Sequence, residues 1–280
     1  MKNLSNLPVV LLLTIIVFTS CKKETGSAVL SNPANDVPET KAPVQKAIIL
    51  PVNGNIGGYQ EALPARYDST TKGYPLLIFI HGVGELGNGS SDLWMAANIG
   101  TPGLIKNNKF PASFTANGKT FSFIVLAPQF KAWPNSTDVN AMISYAISKY
   151  RIDTTRIYVS GLSMGGGATW EYAAGYNSRI AAIVPICGAS GPTNEKAQKI
   201  AQSGIGVWAF HNLDDGTVSS SNTTGYVNKI NSYNPTTAAR MTLWPTGGHD
   251  AWTKATDPTY KENGTNMYEW MLQFSKKSSL

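Results

Sequence analysis

The sequence predicts an α/β fold, a mostly parallel central sheet with helices on both faces. From about residue 46 onward, short apolar runs alternate with longer mixed segments. Most of the runs are continuously apolar, the pattern of strands covered on both faces. The segments between them have the length and polarity of crossover helices. The chain has 280 residues, 42% hydrophobic and 14% charged, which suits one large globular domain and excludes disorder.

Strands are expected at residues 75–81, 121–127, 156–160, 180–187, 205–211 and 240–244, and helices at 138–150, 164–175, 193–202, 223–233 and 263–275. Residues 57–67 suit an antiparallel lead-in strand. Right-handed crossovers gather the C-terminal ends of parallel strands on one rim, where chemistry is to be sought.

Ahead of the domain, Lys2 precedes an almost wholly apolar stretch from Leu7 to Phe18, then Thr19-Ser20-Cys21. This resembles a bacterial lipoprotein signal over residues 1–20, with Cys21 lipidated. Residues 21–45, rich in Ser, Pro, Asn, Thr and Lys, read as a flexible tether, and 46–280 as the α/β domain. The protein is thus expected outside the cytoplasm, lipid-anchored on the periplasmic side or cell surface, or secreted. Its membrane contact would run through Cys21 alone. With Cys21 lipidated, Cys187 has no disulfide partner and reads as a small buried side chain in a core strand.

The formal charge of +6 comes from scattered Lys and Arg, whose adjacent pairs, Lys22–Lys23 and Lys276–Lys277, lie near the two ends. No basic stripe interleaved with aromatics is present, so nucleic acid is not an expected partner. No metal-ligand spacing, phosphate loop or dinucleotide fingerprint is found, so neither metal nor cofactor is expected. A monomer is expected.

After the strand at 156–160 comes Gly161-Leu162-Ser163-Met164-Gly165, then Gly166-Gly167 and a helical segment. A serine in G-x-S-x-G between strand and helix sits on a strained turn that lifts its Oγ clear of the sheet. Gly161 and Gly165 remove Cβ atoms that would block close approach of neighbouring segments. The Met164 amide then points where an oxyanion would form. Ser163 is therefore the expected nucleophile.

A serine hydroxyl needs a base. The chain has three histidines, His81, His211 and His249. α/β-Hydrolases order the triad Ser, then Asp or Glu, then His. His81 precedes the serine, and it closes an apolar strand before Gly82, so it reads as a turn-shaping residue. His211 also ends a strand, with no loop carboxylate in the required order between it and Ser163. His249, in Thr246-Gly247-Gly248-His249-Asp250, lies on a loop between the last strand and the last helix and is the expected base. The acid should follow the strand at 205–211, where Asp214 and Asp215 both stand; the residues alone do not separate them. The second oxyanion amide is expected from Val83, with Gly84 as the alternative, in His81-Gly82-Val83-Gly84-Glu85. Glu85 is a candidate to hold that loop by accepting backbone N–H bonds.

These motifs, with Leu126-Ala127-Pro128-Gln129, Trp170 and Val207-Trp208-Ala209-Phe210-His211, resemble compact bacterial α/β-hydrolase esterases. That family includes predicted peptidases and carboxylesterases similar to polyhydroxybutyrate depolymerase, acetylxylan and feruloyl esterases. The resemblance covers roughly residues 60–275. Its His-Gly-x-x-Asp pattern, laid on His211-Asn212-Leu213-Asp214-Asp215, implies Asp215 as the acid, with Asn212 in place of the usual Gly. Its His-x-x-Trp pattern matches His249-Asp250-Ala251-Trp252. The resemblance thus implies the triad Ser163, Asp215 and His249, a serine carboxylic-ester hydrolase acting through an acyl-enzyme on a small or polymer-attached ester.

Asp215 follows Ser163 by 52 residues, an interval already filled by two helices and two strands. It leaves no room for a lid domain, so the site is expected to open to solvent. Trp252 and Trp133 are candidate substrate-binding residues, whereas Trp170 reads more readily as core. Two other readings remain open from sequence: a serine peptidase of the prolyl-oligopeptidase-like type, and a glycan-binding surface protein with a vestigial site.

Overall fold

The computed structural model describes residues 33–276, together with Met1. The expected signal segment beyond Met1, Cys21 and the first part of the tether lie outside the described residues. Among the described residues no helix is long and apolar enough to cross a membrane.

In chain order the elements are β1 (Val44–Ile48), β2 (Ile56–Leu63), β3 (Tyr74–Ile80), α1 (Gly100–Lys106), β4 (Phe114–Ala116), β5 (Lys119–Phe121), β6 (Ile124–Phe130), α2 (Ser136–Lys149), β7 (Ile152–Leu162), α3 (Met164–Tyr176), β8 (Ala182–Ile186), α4 (Asn194–Gln202), β9 (Gly206–Asn212), α5 (Ser221–Ser232), β10 (Arg240–Trp244), α6 (Trp252–Ala255) and α7 (Met267–Met271). Eight strands form one sheet in the order β1-β2-β6-β3-β7-β8-β9-β10. β2 runs antiparallel to both β1 and β6, and the strands from β6 to β10 are parallel. This is the α/β-hydrolase fold that the sequence predicts.

The continuous apolar runs are explained by burial on both faces: every residue of β3, β6 and β9 is buried. On one face Val139 and Met142 of α2, Trp170 and Tyr172 of α3, Ile200 of α4 and Tyr226 of α5 pack together. On the other, Ile105 of α1, Phe114 of β4 and Trp270 and Met271 of α7 cover the sheet. The chain passes from β3 outward to β6 and then returns to β7 on the other side of β3. That reversal opens a crevice at the C-terminal ends of the strands, the usual ligand position in such sheets. Between Ser163 and Asp215 the helices and strands are α3, β8, α4 and β9, so no lid domain is inserted there.

Two regions depart from the sequence expectation. The segment at 263–275 forms a helix only over Met267–Met271. Asn263 and Gly264 adopt positive φ (52° and 81°), which makes a turn ahead of it, and Asn266 caps the helix through Tyr268 N and Glu269 N. Beyond it, Arg156 Nη1 and Tyr158 Oη hold the carbonyls of Leu272 (2.8 Å) and Phe274 (2.7 Å), taking them out of helical bonding. At the other end, the last part of the expected tether is folded onto the domain. Asn35 Oδ1 accepts from Thr71 N at 2.9 Å, Glu39 Oε2 accepts from Arg66 N at 2.8 Å, and β1 begins at Val44.

Trp170 is fully buried and stacks on Tyr226, with ring centroids 4.2 Å apart and planes 4° apart. It is a core residue. Trp170→Ala is expected to cost about 3–5 kcal/mol, measured as a lowered urea midpoint with an unchanged slope.

Candidate active site

Ser163 lies between the end of β7 and the start of α3, with φ 52° and ψ −114°. A non-glycine residue in this region is strained and persists only where its surroundings fix it. Three backbone bonds do so here: Ser163 N donates to Ile186 O (3.0 Å), and its carbonyl accepts from Gly167 N and Ala189 N (2.9 Å each). The flanking glycines are sterically required. A Cβ on Gly161 would stand 2.6 Å from the Gly165 carbonyl carbon, and one on Gly165 would stand 2.1 Å from Ile80 O. Gly166 and Gly167 serve a further contact, since Cβ atoms there would meet Ile186 O at 2.4 Å and Ala189 O at 2.5 Å.

Ser163 Oγ lies 2.8 Å from His249 Nε2, and His249 Nδ1 lies 2.7 Å from Asp215 Oδ2. With Asp215 ionised, His249 donates from Nδ1 and accepts the serine proton at Nε2. Asp215 Oδ1 accepts from Thr217 N (2.8 Å) and Val218 N (2.9 Å). Burial pushes the Asp215 carboxyl up, but the His249 hydrogen bond and these two amides outweigh it and hold the group below its ordinary value.

The two aspartates that sequence could not separate have distinct places. Asp215 meets the His249 ring, while Asp214 Oδ2 and Oδ1 accept from the backbone N–H groups of Gly247 (3.2 Å) and Gly248 (2.8 Å). Two contacts went unforeseen. His211, read as the end of a strand, places Nε2 2.9 Å from Val218 O and 3.2 Å from Asp215 Oδ2, with Nδ1 2.8 Å from Thr223 Oγ1. It therefore donates from Nε2 toward Val218 O and Asp215 and accepts from Thr223. Cys187 is buried as expected, but it stands just past β8 with φ 39°, beside the site. Ligand-type atoms of Cys187, Asp215 and His249 lie within 4.8 Å of one another. Burial pushes the Cys187 thiol up to about 12, so it stays protonated and is a poor metal ligand.

The loop after β3 stands against Ser163: a Cβ on Gly82 would lie 3.8 Å from Ser163 Cβ. Phe130 N donates to His81 Nε2 at 3.0 Å, so the His81 proton is on Nδ1 and donates to Gly82 O at 2.6 Å. With that carbonyl drawn to the ring, the trans peptide turns the Val83 N–H the opposite way. Gly82 N donates to Glu85 Oε2 at 3.0 Å. Buried Gln129, which drew no attention beyond its place in a motif, donates to Glu85 O (3.0 Å) and Asp92 O (2.8 Å) and ties the loop to β6. Val83 N, Gly84 N and Met164 N have no backbone hydrogen-bond acceptor among the described residues. The Trp252 ring meets the His249 ring edge-to-face at 5.4 Å, and Trp133 stands 53% exposed in the loop after β6.

A family model described as phospholipase/carboxylesterase matches residues 67–261. A bifunctional acetylxylan esterase/xylanase of Neocallimastix patriciarum is 27% identical over 154 residues, 55% of this chain; the chain spans about a fifth (21%) of that relative's length. Among solved structures, a thermostable esterase superposes with a TM-score of 0.58 at 23% identity, covering 85% of this chain and 64% of that one. The feruloyl esterase module from Clostridium thermocellum, complexed with sinapinate, gives 0.52 at 18% identity, with 79% and 86% covered. Both likenesses are of fold.

The buried histidines set a pH response. Burial pushes His81 down to about 4 against the upward pull of the Gly82 carbonyl, and lowers His211 in the same way. Between pH 6.5 and 4 the unfolded chain takes up a proton at residue 81 that the folded one refuses. Stability is therefore full above that window and falls as pH drops through it, by about 2 kcal/mol for His81 alone at pH 5. Glu85, raised by burial, opposes this in part. Urea titrations are expected to show a lower midpoint at pH 5 than at pH 7.

Proposed function

The chain belongs to the phospholipase/carboxylesterase family, and on that premise we propose that it hydrolyses carboxylic esters through an acyl-enzyme on Ser163. One observation carries the reading: the unbroken line from Ser163 Oγ to His249 Nε2 (2.8 Å) and from His249 Nδ1 to Asp215 Oδ2 (2.7 Å). In the first half-reaction Ser163 Oγ attacks the ester carbonyl carbon as its proton passes to His249 Nε2. Asp215 stabilises the imidazolium and fixes its orientation. The oxygen that becomes negative is received by the amides of Val83 and Met164. The tetrahedral species then expels the alcohol, which takes the proton from His249. A water molecule, deprotonated by His249, repeats the addition on the acyl carbon. The acid leaves, and Ser163 recovers its proton.

The substrate class follows from the opening of the site and from the relatives. Helices and strands of the core fill the interval from Ser163 to Asp215, and Val83 (56% exposed) and Trp133 stand bare at the rim. An open rim suits an acyl group carried on a polymer. The names of the relatives, acetylxylan esterase and feruloyl esterase module, point to acetyl or feruloyl groups on polysaccharide. Trp133 and Trp252 are then the first candidates to meet the alcohol or acyl group. The pattern from Lys2 to Cys21 supports export and a lipid anchor at Cys21, which would hold the enzyme near extracellular polymer.

Ser163→Ala is expected to lower kcat on nitrophenyl acetate by on the order of 10⁶ with the fold intact. An unchanged rate would sink the assignment. Acetylated xylan, a feruloyl ester, a polyester film and a matched amide, assayed side by side, identify the preferred bond. Failure of Ser163 to react with a fluorophosphonate probe would favour a binding protein instead.

A further inference from the structure

The Trp252 ring packs on His249 itself, but the backbone ahead of it borders an open groove of about 450 Å³, lined by Asn212, Trp244, Gly247, Asp250 and Lys254 among others. The end of β9 and the turn after it reach that backbone. Asn212, the residue that stands where the resembling family has Gly, is 2% exposed and donates from Nδ2 to Gly248 O at 3.0 Å. Asp214 accepts from Gly247 N (3.2 Å) and Gly248 N (2.8 Å). Gly247 and Gly248 adopt positive φ, 143° and 58°, and a Cβ on Gly247 would stand 2.5 Å from Asn212 Nδ2. The two glycines are thus shaped to the clamp, and the next residue is His249.

We propose that Asn212 and Asp214 are positioning residues for the reaction, fixing His249 Nε2 opposite Ser163 through the backbone of Gly247 and Gly248. This rests on the esterase reading above. Three residues of one short turn then address three consecutive residues of the loop: Asn212 the Gly248 carbonyl, Asp214 the two glycine amides, and Asp215 the imidazole. The backbone before His249 and its ring are referenced to the same end of β9. A displacement of the loop away from the sheet would lengthen the bonds to Ser163 and Asp215 together. Asn at 212 supplies a donor that Gly cannot, so the usual family residue should weaken the arrangement here.

Asp214 is exposed, so Asp214→Ala is expected to fold normally. It should lower kcat on nitrophenyl acetate by between about 10- and 100-fold, with KM within about twofold and the melting temperature unchanged. Asp214→Asn keeps one carboxamide oxygen for Gly248 N and should recover part of the loss. Asn212→Gly should lower kcat in the same manner. A second readout does not depend on turnover: the NMR signal of the His249 Nδ1 proton bonded to Asp215 should broaden by exchange in Asp214→Ala and sharpen again in Asp214→Asn. Full kcat in both Asp214→Ala and Asn212→Gly, or an unaltered Nδ1 proton signal, overturns the clamp. Absence of esterase turnover in the wild type, with the proton signal responding as described, overturns the esterase reading and leaves the clamp standing.

Discussion

The strained backbone of Ser163 is the constraint to which the other parts of the site are fitted. Its φ of 52° places the side chain at the top of the turn, and neither local propensity nor side-chain packing favours that value. Ile186 O holds the residue from below, while Gly167 N and Ala189 N hold its carbonyl. These bonds form only if α3 approaches β3 and the loop after β8 closely. That approach is possible because residues 161, 165, 166 and 167 carry no Cβ. The four glycines are therefore one device serving one backbone angle, and the helix N-terminus that results supplies the Met164 amide.

Around this fixed point, the supporting groups are themselves supported. His81 is kept neutral by burial, and its two ring nitrogens are spent on Phe130 N and Gly82 O, which orients the peptide bearing the Val83 N–H. Glu85 and Gln129 brace the same loop from the other side. His211, also lowered by burial, turns a donor toward Asp215 and takes its own hydrogen bond from Thr223. Each of the two buried histidines has a carbonyl partner for its N–H and a donor for its other nitrogen. Burial is what makes their environment unfavourable to charge.

Much of this was legible in sequence, and what was not has a physical reason. Strand runs were readable because burial on both faces leaves continuous apolar segments, as in Tyr74–Ile80. Ser163 was readable because its backbone angle demands glycines at set positions, and His249 because chain order leaves one suitable histidine. Asp214 and Asp215 were indistinguishable because adjacent residues of one type differ only in where a turn points them. The contacts of His211 with Thr223 and of Gln129 with Glu85 join residues 12 and 44 apart, which no local pattern encodes. The shortened last helix has the same origin: Arg156 and Tyr158, more than a hundred residues earlier, claim the carbonyls of Leu272 and Phe274.

The proposed reaction would need a full negative charge where water is scarce, and the surroundings of Asp215 suit that need. Its carboxylate is buried, which by itself favours the neutral acid. Four N–H groups converge on it: Thr217 and Val218 on Oδ1, His249 and His211 on Oδ2. Two are backbone amides of the turn that carries the aspartate, so they cost little further ordering once β9 and its turn are formed. One belongs to a histidine that burial keeps neutral, so it contributes a dipole without a competing cation. The fourth belongs to His249, the group that the proposed mechanism would charge when Ser163 gives up its proton. In the proposed mechanism the charge that develops would appear on the one of these four donors that also faces Ser163. Under the proposed mechanism the proton crosses one short hydrogen bond, the 2.8 Å between Ser163 Oγ and His249 Nε2, with its electrostatic partners already in place.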